Sequence, residues 1–318
     1  MIRTSLVALF LLAAEPAQSG PLAPDPQPQP EGVDFCGQRH PADTTKMMCY
    51  GGNVTDLSPL TRLPHLKELY IDRPSLIDIQ PLAALAELEV LGLTSTSVED
   101  LRPLSGLKKL KRLWIARTKV RDLSPLADLE QLEELRAYDI PISDLTPLED
   151  LKRLERLQIQ TTQVRDLAPL AGLEQLKMLH ISSLQLSDLG PLAGLTALEE
   201  LHCTYNPVED LRPLAGLKHL KKLFLNATRV ADLAPLTGLS ALEHLDLGRT
   251  PVLALEPLHG LTDLKWVGLD ATRVPAEQLA GLRTARPGLQ VRQDNRLAVC
   301  GQNVDVFAEE IIPAAADF

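Results

Sequence analysis

The stretch Leu88–Leu107, LEVLGLTSTSVEDLRPLSGL, shows the unit that recurs along most of this chain. Its Pro-Leu pair returns every 22 residues, at Pro59, Pro81, Pro103, Pro125, Pro147, Pro169, Pro191, Pro213, Pro235 and Pro257. A period of this length is typical of units that cannot bury an apolar face alone and therefore stack on their neighbours. We predict that residues 44–295 form one continuous solenoid rather than two separate domains.

The apolar spacing inside the unit predicts its local structure. Alternation in Leu88–Leu93 indicates a short strand whose Leu91 and Leu93 point into the core. Leu104 and Leu107 are three residues apart, which favours a short 3₁₀ or α segment on the return. Stacking then places the strands in a parallel sheet on the concave side and the helical segments on the convex side. The predicted fold class is an α/β solenoid, a leucine-rich-repeat horseshoe.

An aspartate column accompanies the Pro-Leu column, at Asp56, Asp78, Asp100, Asp122, Asp144, Asp166, Asp188, Asp210 and Asp232. An Asp just before x-Pro-Leu can accept hydrogen bonds from backbone N–H groups that open a helical turn. We therefore interpret the column as structural, and it accounts for much of the net charge of −10. A chain of this charge is not expected to bind nucleic acid.

The phrase D-[LI]-x-P-L-x-x-L, seen at Asp100–Leu107, resembles the repeats of the bacterial internalin family. The resemblance implies a leucine-rich-repeat fold whose concave face binds a partner. One departure is the position after the strand, which is often Asn in such repeats. Here it is Asn only at Asn206, and it is Thr at Thr96, Thr118, Thr162, Thr228, Thr250 and Thr272. An internalin-like continuation is also missing after the repeats, so host-cell invasion is not part of the expectation.

The segments around the repeats indicate export. Residues near Arg3 form a short positive region, followed by an apolar stretch and a small-residue cleavage site, as in signal peptides. In order, we predict a signal peptide (1–19), a Pro-rich linker (20–32), an N-terminal cap with a zeroth repeat (33–55), ten repeats (56–272), a closing repeat (273–295) and an unassigned tail (296–318). We expect a periplasmic, cell-surface or secreted protein without a transmembrane segment.

The four cysteines have different expected roles. Cys49 falls at an inward position of the zeroth strand and Cys36 lies just upstream, so a disulfide between them would close the cap in an oxidising compartment. Cys203 lies in an inward column, which favours a buried free thiol that packs as a small hydrophobe. Cys300 lies on the order of 50 Å from the cap, too far to reach Cys36 unless the tail folds back.

Candidate binding residues come from the outward positions of the strands. The six aromatic residues of the repeat region fall there: Tyr70, Trp114, Tyr138, Tyr205, Phe224 and Trp266. The same face carries the further candidates Arg112, Arg136, Arg156, His180, His202 and Lys222. Aromatic anchors among mixed charges on a rigid sheet favour binding of a folded protein. Two plainer explanations are the preference of large side chains for β-strands and an ordinary solvated charged face.

A histidine pair on this face suggests two further hypotheses. His180 and His202 occupy the same outward column in neighbouring repeats, and Glu200 lies two residues before His202. The three side chains could hold a metal ion. Alternatively, the histidines could make partner binding depend on pH.

The sequence contains no phosphate loop, nucleophile elbow or Cys-x-x-Cys site, and we expect neither an enzyme nor a cofactor. The leading hypothesis is an exported, monomeric protein-recognition module. Its site is centred on Trp114, Tyr138, Tyr205 and Phe224. The alternatives are a structural envelope spacer without a discrete partner and a metal-binding protein that uses His180, His202 and Glu200.

Overall fold

The computed structural model describes residues 32–49 and 53–293. The predicted signal peptide (1–19), linker residues 20–31, Cys300 and the tail (296–318) lie outside the described residues. No helix of the described part is long and apolar enough to cross a membrane.

A small antiparallel hairpin forms the N-terminal cap. Strand β1 (Gly32–Phe35) pairs with β2 (Gln38–Pro41), and Phe35 joins the hydrophobic core. A disulfide connects Cys36 to Cys49, whose Cα atoms lie 5.8 Å apart. This bond was predicted from the sequence, and it ties the hairpin to the first strand of the main sheet.

Successive repeats contribute one strand each to a twelve-stranded sheet in chain order. Its strands are β3 (Lys46–Cys49), β4 (Glu68–Ile71), β5 (Val90–Gly92), β6 (Arg112–Trp114), β7 (Glu134–Arg136), β8 (Arg156–Gln158), β9 (Met178–His180), β10 (Glu200–His202), β11 (Lys222–Phe224), β12 (His244–Asp246), β13 (Trp266–Gly268) and β14 (Gln290–Arg292). All neighbours are parallel, and Trp114, for example, stands beside Arg136. Sequence columns therefore become side-chain columns with a spacing of about 4.8 Å.

The return path of each repeat is a 3₁₀ segment on the convex side. These segments are Ser58–Arg62, Gln80–Ala84, Arg102–Leu104, Ser124–Leu126, Thr146–Leu148, Ala168–Leu170, Gly190–Gly194, Arg212–Leu214, Ala234–Leu236 and Glu256–Leu258. Each of the nine column aspartates accepts a hydrogen bond of 2.7–2.9 Å from the backbone N–H two residues later. That residue opens the 3₁₀ segment, so the structural interpretation of the column is confirmed.

The residue at the turn after each strand is buried at the edge of the core in most repeats. Thr96, Thr118, Thr228 and Thr250 are buried there, and each hydroxyl donates to the carbonyl three residues earlier. The residue just before this position has positive φ in nine repeats, at Ser95, Arg117, Asp139, Thr161, Ser183, Tyr205, Ala227, Arg249 and Ala271. The chain thus leaves the sheet through the same left-handed turn in each repeat, which keeps the outward columns aligned.

Leucine fills the interior, and the far end of the stack is closed by helix α1 (Ala276–Ala285) and by β14. Leu282 is the buried side chain of α1. Cys203 is a buried free thiol, in agreement with the sequence, and burial raises its pKa to about 12. A thiol with such a pKa is not a nucleophile at neutral pH.

Candidate functional site

The outward face of the sheet is a narrow concave surface, because most strands are only three residues long. Its middle line, which we call the central column, contains Met48, Tyr70, Gly92, Trp114, Arg136, Gln158, His180, His202, Phe224, Asp246, Gly268 and Arg292. Six of the twelve residues predicted for the site lie in this column. Two groups of side chains stand out along it.

The first group, which we call the Trp114 cluster, consists of Tyr70, Trp114, Glu134 and Arg136. The Trp114 ring lies 5.3 Å from the Tyr70 ring, and the guanidinium of Arg136 stands over it at 4.5 Å. Glu134 Oε1 accepts hydrogen bonds from Trp114 Nε1 (3.1 Å) and from Arg136 Nε (2.5 Å). The Trp114 ring is therefore fixed by Tyr70, by Arg136 and by the hydrogen bond from its Nε1 to Glu134, while it remains partly exposed.

Gly92 makes this arrangement possible. It occupies the central column between Tyr70 and Trp114, and a Cβ atom there would lie 2.9 Å from Tyr70 Cδ1 and 3.4 Å from Trp114 Cε3. Any larger residue would push the two rings apart. Gly92 was not identified from the sequence, and Glu134 was recognised there only as a negative charge of the concave face.

Tyr138 and Tyr205 lie at the edge of the sheet where the strands end. The guanidinium of Arg117 stands 5.8 Å from the centre of the Tyr138 ring. Tyr205 lies in the left-handed turn after β10, with φ of 56°, and is 51% exposed. Trp266 is partly exposed on β13, beside Gly268.

The second group is a stack of rings on β9, β10 and β11. The His180 and His202 rings lie 4.6 Å apart, and the His202 and Phe224 rings are stacked at 4.3 Å. Phe224 was expected to be an exposed anchor, but it is only 8% exposed because the His202 ring lies flat against it. Phe224 therefore supports the histidine pair and offers little surface to a partner.

Glu200 completes this second group. His202 Nε2 donates a hydrogen bond to Glu200 Oε1 at 2.5 Å, and Lys222 Nζ lies 3.1 Å from Glu200 Oε2. The hydrogen bond from His202 is the main cause that lowers the pKa of Glu200 to about 2. Burial lowers the pKa of His180 to about 3, so this ring is neutral at physiological pH.

These contacts do not support the metal hypothesis. Both oxygens of Glu200 are already occupied by His202 and Lys222, and the two histidine rings face each other rather than a common point. In the part of the chain that the structure describes, no group of three or more His, Cys, Asp or Glu residues could hold a metal ion.

Lysine and glutamate fill the column just before the strands and alternate except at Glu133 and Glu155, a feature that sequence reasoning missed. Ion pairs join neighbouring repeats along it: Lys67–Glu89, Lys111–Glu89, Lys177–Glu155, Lys221–Glu199 and Lys265–Glu243. The alternation of sign at a 22-residue spacing was a readable signal. Exposed ion pairs of this kind stabilise a fold only slightly. We therefore interpret their role as favouring the native alignment of each repeat with its neighbour.

The comparisons with known proteins agree with this architecture. Residues 174–216 match the family described as leucine-rich repeats (2 copies). An internalin (inlF) from Listeria monocytogenes has a TM-score of 0.71 and 24% identity, over 81% of this chain and 86% of that chain. A second internalin from the same organism has a TM-score of 0.54 and 32% identity, over 55% of this chain and 78% of that chain.

This chain contains leucine-rich repeats and is similar in fold to the internalins. A more distant solved structure shares the fold of this internalin-like chain. It is the leucine-rich-repeat ectodomain of a plant membrane receptor kinase from Arabidopsis thaliana, in complex with Casparian strip integrity factor 2. Its TM-score is 0.67 at 18% identity, over 81% of this chain and 34% of that chain. Among curated protein sequences, no significant match was found.

Proposed function

We propose that this internalin-like protein is an exported, non-enzymatic module that recognises another protein through its concave sheet. The leucine-rich-repeat solenoid is a protein-interaction fold, and an ectodomain of this fold is known in complex with its factor. The observation that carries the proposal is the Trp114 cluster. A partly exposed Trp on an open rigid sheet is a typical binding hot spot.

The contacts of Trp114 explain why it would bind well. Tyr70, Arg136 and Glu134 already fix its ring in the unbound protein. An immobilised side chain typically costs about 0.5–1.5 kcal/mol of entropy on binding, and here that cost falls on folding instead. A partner that covers the ring would therefore gain its apolar area at small entropic cost.

We place the centre of the site on Trp114, Tyr138 and Tyr205, and we keep Arg112, Arg136 and Arg156 as its flanks. Tyr70, His180, His202, Lys222 and Trp266 belong to its periphery. Phe224 remains in the proposal only as the support beneath His202. The mixed charges around the aromatics would set the register of a partner.

Export is part of the proposal. The signal-peptide pattern of residues 1–19 supports it, and the Cys36–Cys49 disulfide fits an oxidising compartment. Sequencing the N-terminus of the protein purified from its native host tests this part. A chain that still carries residues 1–19 would contradict export.

The binding function is tested by a paired affinity capture from envelope and extracellular proteins. The baits are the wild type and a Trp114→Ala/Tyr138→Ala/Tyr205→Ala variant. A matched control, Ile77→Ala/Leu253→Ala, removes exposed apolar side chains from the turns that lead to the 3₁₀ segments; Ile77 is 65% and Leu253 55% exposed.

A protein retained by the wild type and the control, but not by the triple variant, is the expected result. Identical captures by all three baits would remove the proposed site. The structural-spacer hypothesis would then lead, provided that circular dichroism shows all three baits to be folded.

A further inference from the structure

The geometry points to an acidic segment of the partner protein as the ligand of the N-terminal half of the concave face. This inference rests on the proposed protein-binding function and names the chemistry of what binds. It is carried by Arg112 and Arg156, which we call the arginine pair.

The arginine pair flanks one buried carboxylate. Arg112 on β6, Glu134 on β7 and Arg156 on β8 are consecutive members of one outward column. Glu134 is 9% exposed, and its Oε1 is taken by Trp114 and by Arg136. Neither member of the arginine pair forms an ion pair or a side-chain hydrogen bond with another described residue. Arg156 is exposed and Arg112 is partly exposed.

The surrounding charges leave this half of the face positive. The outward positions of β5 to β8, with the turns that follow, carry Arg112, Arg117, Arg136, Arg156, Glu134 and Asp139. Glu134 pairs with Arg136, and Asp139 lies 3.9 Å from Arg117. Arg112 and Arg156 are therefore the charges of this part of the face that no ion pair neutralises. Glu133 stands one position earlier, in the lysine–glutamate column, where its charge acts on Lys111.

The C-terminal half of the face differs. From β10 onwards, Lys222 pairs with Glu200 at 3.1 Å and Arg292 pairs with Asp270 at 2.9 Å. Asp246 and Arg249 are the remaining charges of opposite sign. The positive excess is therefore confined to β6–β8, on a chain whose net charge is −10.

The spacing of the arginine pair indicates what an acidic ligand would look like. Two strand spacings separate the residues, which places their Cα atoms about 10 Å apart. In a polyproline II segment, residues three apart lie on the same side at a distance of about 9 Å. A segment with Asp or Glu at positions i and i+3 can therefore place one carboxylate on each guanidinium, a geometry in which Arg donates two parallel hydrogen bonds.

Trp114 lies on the same strand as Arg112, in the neighbouring central column. It would contact an apolar side chain of the same segment. A nucleic-acid backbone would also carry anions, but the net charge of −10 repels a long polyanion, whereas a short acidic segment of a protein contacts only the positive region.

The test is a selection of short random displayed peptides on the full chain with its Cys36–Cys49 disulfide intact. The selected peptides are then measured against Arg112→Glu/Arg156→Glu, against Trp114→Ala and against Arg62→Glu/Arg121→Glu. The last variant is the matched control, because it makes the same change in net charge at two exposed arginines away from the sheet. Thermal unfolding verifies that each variant is folded, and Arg112→Gln/Arg156→Gln replaces the charge reversal if that variant is not.

We expect peptides enriched in Asp or Glu three residues apart. Their affinity should fall about tenfold or more for Arg112→Glu/Arg156→Glu, should fall at higher salt, and should be unchanged for the control. Peptides that depend on Trp114 but lack acidic residues and ignore the charge reversal would overturn this inference and leave the proposed function standing. If no peptide depends on either Trp114 or the arginine pair, both are contradicted.

Discussion

Asn206 is expected to contribute more to stability than the buried threonines at the same position of other repeats. Its side chain is 2% exposed. Its Oδ1 accepts hydrogen bonds from the backbone N–H groups of Leu184 (3.1 Å) and Leu186 (3.0 Å) in the preceding repeat. Its Nδ2 donates to the carbonyls of Ile181 (2.8 Å) and Cys203 (3.1 Å). One amide thus satisfies the backbone of two adjacent repeats.

Asn206→Thr is the informative substitution, because threonine is the residue that most repeats carry here. A threonine hydroxyl bonds to the carbonyl three residues earlier, as Thr228 does with Leu225 O at 2.7 Å. The N–H groups of Leu184 and Leu186 would then be buried without an acceptor. Each such group costs about 1–3 kcal/mol, so we expect a loss of about 2–4 kcal/mol after partial relaxation.

Thr228→Val in the adjacent repeat is the matched control. It removes a hydroxyl of the same class, but Leu225 O still accepts from Thr228 N at 3.2 Å. No buried group loses its only partner, so the expected cost is below about 1 kcal/mol.

The assay is urea unfolding followed by far-UV circular dichroism, with the midpoints compared at a common slope. Hydrogen exchange at Leu184 and Leu186 adds a local readout, because stability in a solenoid is a sum of repeat and interface terms. If Asn206→Thr lowers stability no more than Thr228→Val does, the assignment of these hydrogen bonds as stabilising is refuted.

Three further predictions concern the concave face and the cap. Phe224→Ala should lower the unfolding free energy by about 2–4 kcal/mol because the ring is buried under His202, and a urea midpoint equal to that of the wild type would contradict this burial. Burial lowers the pKa of His180 to about 3, so below the ordinary value of 6.5 the unfolded chain binds a proton that the folded protein excludes. Stability from this group is therefore complete above 6.5 and is lost as pH falls towards 3. His180→Gln should reduce the loss between pH 7.5 and pH 5 by about 1–2 kcal/mol, and urea titrations with the same pH dependence in both proteins would speak against it. Cys36→Ser/Cys49→Ser should cost about 2–3 kcal/mol through the entropy of the unfolded chain, and an unchanged thermal midpoint would show that the cap hairpin holds without the disulfide.

The repeat period alone determined a large part of the fold. A Pro-Leu pair every 22 residues, strand-like alternation at Leu88–Leu93 and a spacing of three after the aspartate predict the parallel sheet and the short helical segments. Both are present. The same frame predicted the Cys36–Cys49 disulfide and the burial of Cys203. These inferences succeeded because stacking makes residues 22 apart neighbours, whatever their side chains do.

The state of each outward side chain was decided by the tertiary structure. The frame places Trp114 and Phe224 in the same central column, yet one is partly exposed and the other is covered. The difference arises from their neighbours: Gly92 leaves room beside Trp114, whereas His202 lies flat on Phe224.

In the same way, ion pairing occupies Glu200 and Arg136, whereas Arg112 and Arg156 form no ion pair with another described residue. The repeat period and the apolar spacing specify which columns face outward and which residues are neighbours on adjacent strands. Ring stacking, burial and the choice of ion-pair partner depend on side-chain rotamers across three or more strands, and only packing in three dimensions selects among them.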